Sequence, residues 1–362
     1  MPGAGTAVLS ARGVVPPHVY DQDDITAELA DVVLGGAGAD PRARALLAQV
    51  HASAGVRTRH LVRPLGEYRD LGGFSASNDV FVTEALALAE RAAREALEAA
   101  GCTPEDVDVV MSTTVTGLAV PSLEARLVHR LGLRPDVKRL PVFGLGCVAG
   151  AAGVARLHDH LSGGADRVAL LLSVELCSLT LQADDASRAN LVASGLFGDG
   201  AAAVVLRGGA DADRLPGGVP RVIATRSRLY PGTERTMGWD IGTSGFRIVL
   251  DAGVPDLVRE HLGDDVKTFL ADHHLDLADV TTWVAHPGGP KVLRAMEETL
   301  ALDDDALALT WRSLAAVGNL SSASVLHVLE ATLRERTPPP GSHGLLLAMG
   351  PGFCAELVLL QW

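Results

Sequence analysis

The chain has 362 residues, 48% of them hydrophobic, 21% charged and only 4% aromatic, with a formal charge of −13. At about 150 residues per domain, that length implies two domains or one large fused unit with a substantial core. The acidic balance argues against an electrostatic nucleic-acid binder or a basic membrane patch, and the high apolar content excludes intrinsic disorder.

Among the basic residues only Lys138, Lys267 and Lys291 are lysine, a skew that fits a GC-rich genome better than a function. The four cysteines, Cys102, Cys147, Cys177 and Cys354, are scattered without a Cys-x-x-Cys pair. Neither a metal site nor a disulfide framework is therefore expected. No basic segment precedes the apolar stretch at the N-terminus. The apolar runs are too short to span a bilayer, so the expected localisation is cytoplasmic, without membrane attachment.

A strand is expected at 6–10, then helices near 23–33 and 41–51. The segment 55–63 carries Arg57, Arg59 and Arg63. Asn78 is placed to cap an amphipathic helix over about 79–100, which Gly101 ends. Asp106-Val107-Asp108 leads into a strand ending at Thr113-Thr114. Cys147 follows 40 residues after Val107, opening a helix that runs to Gly163-Gly164. A strand at about 167–174 comes next, and Gly198-Asp199-Gly200 opens another.

After a Gly/Asp/Pro-rich linker at 207–220 the pattern recurs. Asp279-Val280-Thr281 leads into a strand ending at Ala285-His286, and Asn319 follows 39 residues after Val280, again opening an apolar helix. Gly350-Pro351-Gly352 then opens the last strand, as Gly198-Asp199-Gly200 did. The matched order points to duplication of one α/β unit. Its halves, 1–210 and 211–362, would share a site at their junction, where strand ends and helix N-termini meet.

Cys147 lies between glycines at a predicted helix start, where unpaired N–H groups and the helix dipole favour a thiolate. The other cysteines read as small buried hydrophobes. His286 ends a strand before Pro-Gly-Gly-Pro, a place for a general base or oxyanion donor and equally for a structural histidine. His158 and His160 flank Asp159 but sit on helix positions that point apart, and read as surface residues. Asn319 is also what an ordinary N-cap looks like. A Cys, a His and an Asn at three special chain positions fit two chemistries. Papain-type proteolysis would bring a Cys-Gly-Ser/Ala-Cys-Trp/Tyr signature, which is absent. Decarboxylative Claisen condensation uses the same three residues.

Gly-Cys-Val-Ala-Gly at 146–150, Leu-Phe-Gly-Asp-Gly-Ala-Ala at 196–202, His-Pro-Gly-Gly-Pro at 286–290, Gly-Asn-Leu-Ser-Ser-Ala at 318–323 and Gly-Pro-Gly-Phe at 350–353 stand in order. With these motifs nearly the whole chain resembles the type III polyketide synthases, the chalcone synthase-like branch of the thiolase superfamily. The resemblance implies an α/β thiolase-like fold, a duplicated αβαβα unit in five layers, assembled as a homodimer in which Val120-Pro121 reaches the partner's cavity. Cys147 would take an acyl group from an acyl-CoA starter, its sulfur held anionic by an ion pair with His286. His286 and Asn319 would stabilise the enolate formed when a malonyl-type CoA extender loses carbon dioxide.

Phe197 and Phe246 match aromatic gatekeepers, and Thr116, Cys177, Thr180 and Ser321 match cavity-lining positions. Arg57, Arg59, Arg63 and Lys291 would meet the CoA phosphates. No cofactor and no obligatory acyl carrier protein are implied. Cys177, Ala348-Met349 and Met237-Gly238-Trp239-Asp240 depart from the plant pattern toward the bacterial branch, whose products include pyrones and resorcinols. Two alternatives stand beside this reading: a ketoacyl synthase III-like initiator, whose His-Gln-Ala-Asn segment is replaced here by His286-Pro-Gly-Gly-Pro, and an inactive thiolase-fold scaffold.

Overall fold

Residues 5–35, 40–162, 166–209 and 218–362 are described by a computed structural model of the chain. The first half runs β1 (Thr6–Val14), β2 (His18–Asp21), α1 (Gln22–Leu34), α2 (Pro41–Ala52), β3 (Thr58–Leu61), α3 (Phe74–Ala100), β4 (Val107–Thr114), α4 (Leu123–Leu131), β5 (Lys138–Phe143), α5 (Ala149–Leu161), β6 (Arg167–Leu176), α6 (Arg188–Leu196) and β7 (Asp199–Gly208). The second half runs β8 (Arg221–Leu229), β9 (Met237–Gly242), β10 (Gly245–Leu250), α7 (Val254–Ala271), β11 (Val280–Ala285), α8 (Pro290–Leu300), α9 (Ala308–Val317), α10 (Ser324–Glu335), β12 (His343–Gly350) and β13 (Cys354–Gln361).

The main sheet has the order β11-β12-β13-β8-β1-β7-β6-β4-β5. Among the described residues its two halves are joined where Thr6 pairs with Val222 and Ala7 with Arg221, next to a Val8 N–H to Pro220 O bond at 2.8 Å. Within each half the same succession appears. β4 lies parallel to β6 as β11 does to β12, then β6/β7/β1 and β12/β13/β8 continue antiparallel. Among the described residues of the main sheet, β5 is the strand of the first half without a counterpart in the second.

Alternation along the strands explains the layering. On β6, Leu170, Leu172 and Val174 face one core while Ala169 and Leu171 face another; on β12, Leu345 and Leu347 are separated from Leu346 and Ala348 in the same way. Period-two burial on both faces requires a layer on each side of each sheet. α3 covers the outer face of the first half-sheet, α5 and α10 fill the space between the half-sheets, and α7 and α8 lie on the far side. These are five layers, αβαβα. The central helices come very close, since a Cβ on Gly150 would stand 2.3 Å from Ser322 O.

Two expectations are corrected. Asn78 lies inside α3, which begins at Phe74. Its amide instead exchanges two hydrogen bonds with the backbone of Leu118, at 2.9 and 2.8 Å. Residues 207 and 208 belong to β7 rather than to the linker, whose residues 210–217, like Gly163-Gly164, lie outside the described set. The half boundary at 210/211 falls there too. His158 and His160 are half-buried on α5, and among the described residues no group of three or more His, Cys, Asp or Glu could hold a metal ion. No helix among them is long and apolar enough to cross a membrane.

Candidate active site

Cys147 sits in a short turn, Gly146–Val148, that feeds directly into α5. Gly146 adopts φ +57, and a Cβ there would meet Pro351 Cγ at 2.6 Å. Only glycine fits between the Cys147 turn and the Gly350-Pro351-Gly352 turn of the other half. Ser321, before α10, is also left-handed, with φ 48. It is held there by Asn319, whose Oδ1 accepts the Ser321 N–H at 2.8 Å. With Oδ1 so engaged, the NH2 group of Asn319 is the one left to donate.

His286 follows β11, and its own N–H bonds to Leu347 O at 2.9 Å. Cys147, His286 and Asn319 line one cavity of about 500 Å³ with Phe197, Met237 and Ile248. All three are buried. Cys147 borders an adjoining cavity as well, with Thr116, Cys177, Trp239 and Ser321. A third begins at Cys177, Thr180, Phe197 and Ile248 and extends past Tyr68 and Arg59. The expected cavity-lining set Thr116, Cys177, Thr180, Ser321 and Phe197 is thus brought around the Cys147 space.

Burial sets the protonation of the free site. It pushes the Cys147 thiol up to about 12, only partly opposed by its hydrogen bond to Ser321 Oγ, 3.7 Å away. The same desolvation pushes His286 down to about 3, and neither ring nitrogen has a hydrogen-bond partner among the described residues. Burial thus works against the charged form of each group in the empty cavity, so the expected Cys147–His286 ion pair has to be stabilised against desolvation.

The expectations for Phe246, Arg59, Arg63 and Arg57 are corrected. Phe246 does not line the cavities next to Cys147. It packs against Phe74, Phe143 and Trp239, with ring centroids 5.4, 6.4 and 5.9 Å away. Ile248, two residues along the same strand, borders all three cavities. Arg59 is 3% exposed and cannot meet a phosphate in solvent. Its Nη1 donates to Ser194 O and to Phe197 O, the latter at 3.0 Å, with the buried Asp199 as its nearest countercharge. Arg63 is ion-paired with Glu67. Arg57 is exposed and borders none of these cavities, whereas Lys291 lines an outer groove that opens onto the Cys147 space.

Nothing in the order of residues pointed to Glu175. Fully buried at the end of β6, it accepts from Val115 N at 3.1 Å, from Thr116 Oγ1 at 3.0 Å and from Ser322 Oγ. Desolvation pushes its pKa up while the Ser322 hydrogen bond opposes the shift. It ties the floor of the cavity to the turn that carries Ser321.

The N-terminal domain of chalcone and stilbene synthases matches residues 3–212 and the C-terminal domain of the same family matches 221–362. The chain belongs to the chalcone and stilbene synthase family and is a type III polyketide synthase. It is 60% identical to a 1,3,6,8-tetrahydroxynaphthalene synthase of Streptomyces peucetius subsp. caesius, over 99% of this chain and 93% of that one. A phloroglucinol synthase of Pseudomonas fluorescens is 33% identical, over 96% and 98% of the two chains. The crystal structure of the Streptomyces coelicolor 1,3,6,8-tetrahydroxynaphthalene synthase, a bacterial type III polyketide synthase, superposes with a TM-score of 0.91 at 32% identity, covering 98% of this chain and 99% of the other.

Proposed function

We propose that this synthase condenses malonyl-CoA alone, as starter and extender, into 1,3,6,8-tetrahydroxynaphthalene. The observation that carries the reading is the 60% identity, along 99% of the chain, to a synthase named for that product. The chemistry of the names agrees. Tetrahydroxynaphthalene and phloroglucinol contain ten and six carbons with oxygens on alternate chain positions, which two-carbon units from malonyl groups supply without any other acyl starter.

The residues divide the work as follows. His286 takes the Cys147 proton as the sulfur attacks the thioester carbonyl, and the CoA thiolate leaves with a proton. A malonyl thioester then sets its carbonyl oxygen between a His286 ring N–H and the Asn319 NH2. Both donors are neutral or cationic, so they favour the enolate that forms as carbon dioxide departs. The enolate carbon bonds to the Cys147-bound acyl carbon as the C–S bond breaks, and the expelled thiolate takes up a proton from solvent by way of His286. Side chains and CoA thioesters suffice, with no cofactor and no carrier protein. The exposed Leu118, Val120, Leu140 and Phe143, at the free edge strand β5 and the loop before α4, are the surface of a homodimer.

The test is incubation of the purified protein with malonyl-CoA alone, with product identified by mass. A ten-carbon tetrahydroxylated arene is the expected outcome. Activity only with a longer acyl-CoA starter, giving a pyrone or simple resorcinol, replaces this reading with the one expected from the bacterial branch. A single condensation dependent on acyl carrier protein moves the chain to the ketoacyl synthase III-like alternative.

A further inference from the structure

Two fused carbon rings, as in 1,3,6,8-tetrahydroxynaphthalene, close when a methylene flanked by two carbonyls loses a proton and attacks another carbonyl. His286 and Asn319 serve the thioester end of the chain at Cys147, so a methylene further along needs a base of its own. The third cavity, about 570 Å³, shares Cys177, Phe197, Trp239 and Ile248 with one that Cys147 borders, which gives a growing chain room to extend. Tyr68, Ser178, Thr180 and Ser194, each with a hydroxyl, are among its lining residues. A hydroxyl acts as a base only with a lone pair open to the chain and a route that takes up its own proton.

Ser178 meets both requirements. It stands in the short turn Cys177–Thr180 after β6, half-buried between the buried Cys177 and Leu179. Its Oγ donates to Asp199 Oδ2 at 2.5 Å, and the Tyr68 hydroxyl lies 2.6 Å from the same oxygen. With the Ser178 proton committed to the carboxylate, Tyr68 is the donor of the second bond, and Ser178 keeps one lone pair open. Asp199 is fully buried and accepts as well from Ser178 N–H at 2.8 Å and Val62 N–H at 2.9 Å. Burial lifts its carboxyl to about 6 despite these bonds and the nearby Arg59. Near neutral pH it is an anion that still takes up a proton readily, the range in which a general base works best. The other hydroxyls lack such a route. Thr180 donates to Cys177 O at 2.7 Å. Ser194 donates to Leu191 O at 3.0 Å, and the His51 ring 3.2 Å away is held down to about 4 by burial. Tyr68 is one step further from the carboxylate, and its oxygen accepts from Arg63 N–H at 3.3 Å. In the adjoining cavity Thr116 does donate to Glu175, but its oxygen already accepts from Leu176 N–H at 2.9 Å and faces Thr114 Oγ1 at 3.3 Å. Ser321 there accepts from the Cys147 thiol.

We propose that Ser178, backed by Asp199, is the base that closes the carbon–carbon rings of the polyketide. The proposal rests on the reading that the product is closed carbon to carbon. A chain methylene gives its proton to Ser178 Oγ as the Ser178 proton passes to Asp199. The resulting enolate carbon bonds to a carbonyl carbon of the same chain. Where that carbonyl is a ketone, its oxygen takes the proton back from Asp199 through Ser178, and water is lost as the ring becomes aromatic. Where it is the Cys147 thioester, the C–S bond breaks and the thiolate takes up a proton from solvent by way of His286. Asp199 then returns its own proton to solvent through Ser178 once the product leaves. A chain denied this base closes through an enol oxygen instead, which needs no proton from carbon, and leaves as a lactone.

The test incubates the parent, Ser178→Ala, Ser178→Thr and Asp199→Asn proteins with malonyl-CoA. It reads the ratio of carbocyclic arene to lactone by mass, with malonyl-CoA consumption alongside. Ser178→Ala is expected to lower the ratio about 10²-fold, the scale of a lost general base, while consumption holds. Asp199→Asn leaves the serine in place but takes up no proton, and is expected to shift the ratio the same way. Ser178→Thr keeps the hydroxyl and is expected to restore most of the arene. An unchanged ratio in Ser178→Ala overturns the base while the tetrahydroxynaphthalene reading stands. Equal losses in the alanine and threonine variants trace to cavity shape and overturn it too. A parent protein that releases lactones alone overturns both readings. A parent that makes a different carbocyclic arene, with the same dependence on Ser178, leaves the base standing and removes only the product assignment.

Discussion

Phe197 and Asn319 are locked side by side through their backbones. Asn319 N–H donates to Leu196 O at 2.9 Å and Gly198 N–H donates to Asn319 O at 3.0 Å, which makes a parallel bridge between the two residues. One comes from the first half and the other from the second, so the junction of the duplicated units fixes the amide beside the aromatic ring. Removing the amide leaves that backbone bridge in place, although it also frees the Ser321 N–H that Oδ1 accepts. Asn319→Ala is expected to lower malonyl-CoA decarboxylation about 10²–10³-fold, as loss of one oxyanion donor does. Acylation of Cys147 is expected to fall far less. Equal losses in both steps, followed by single-turnover labelling, would refute the division of roles.

The protonation of the free site gives a pH prediction. A thiol held up near 12 and an imidazole held down near 3 leave Cys147 neutral at pH 7. Thiolate content then rises about tenfold per pH unit between 7 and 9, because the pH stays well below the thiol's pKa throughout. Alkylation of the Cys147 peptide by iodoacetamide, read by mass spectrometry, is expected to climb across that range without a plateau. A plateau near neutrality would mean that a Cys147–His286 ion pair already exists before substrate binds.

Arg59 separates structural from substrate-facing charge. Its guanidinium holds Ser194 O and Phe197 O and stands near Asp199, whose carboxyl is pushed up to about 6 by burial despite hydrogen bonds from Ser178. Truncating one member of such a buried arrangement strands the rest, at about 3–5 kcal/mol. Arg59→Ala is expected to lose that much stability in urea unfolding, whereas the exposed Arg57→Ala stays within about 0.5 kcal/mol. Similar midpoints for the two variants would contradict the burial argument.

Much of this was legible in the chain. The spacing from Val107 to Cys147 and from Val280 to Asn319 exposed the duplication, because each unit repeats the same strand-to-helix turn. Cys147, His286 and Asn319 were findable because their chain positions are unusual for their residue types. Arg59 was not, since its partners Ser194 and Phe197 lie 135 and 138 residues away. Asn78 looked like a cap because nothing local reveals that Leu118 claims its amide.

Ile248 and Phe246 make a second pair whose roles the sequence could not separate. Both lie on β10, two residues apart and so on one face of the strand. Phe246 is spent on the aromatic cluster with Phe74 and Trp239, while Ile248 borders every cavity around Cys147. Ile248→Phe is expected to shorten the product chain by at least one condensation, visible as lighter, lactonised products by mass. Phe246→Leu is expected to lower thermal stability while the product pattern holds. An unchanged pattern for Ile248→Phe would remove Ile248 from the chain-length wall.

Gly150 tests how tightly the duplicated halves must meet. It is the second residue of α5, three residues after Cys147, facing the backbone before α10. A methyl group there would stand 2.3 Å from Ser322 O and 2.7 Å from Val325 Cγ1. Backbone oxygen cannot swing aside as a flexible side chain can, so the two central helices have to part. Gly150→Ala is expected to cost about 1–3 kcal/mol of stability through overpacking, against the few tenths of gain that alanine brings to an unconstrained helix site. Parting the helices also moves Cys147 away from Ser321, so the surviving folded protein is expected to acylate slowly. A Gly150→Ala protein with parental melting temperature and acylation rate would show that the halves do not rely on this contact to assemble the site.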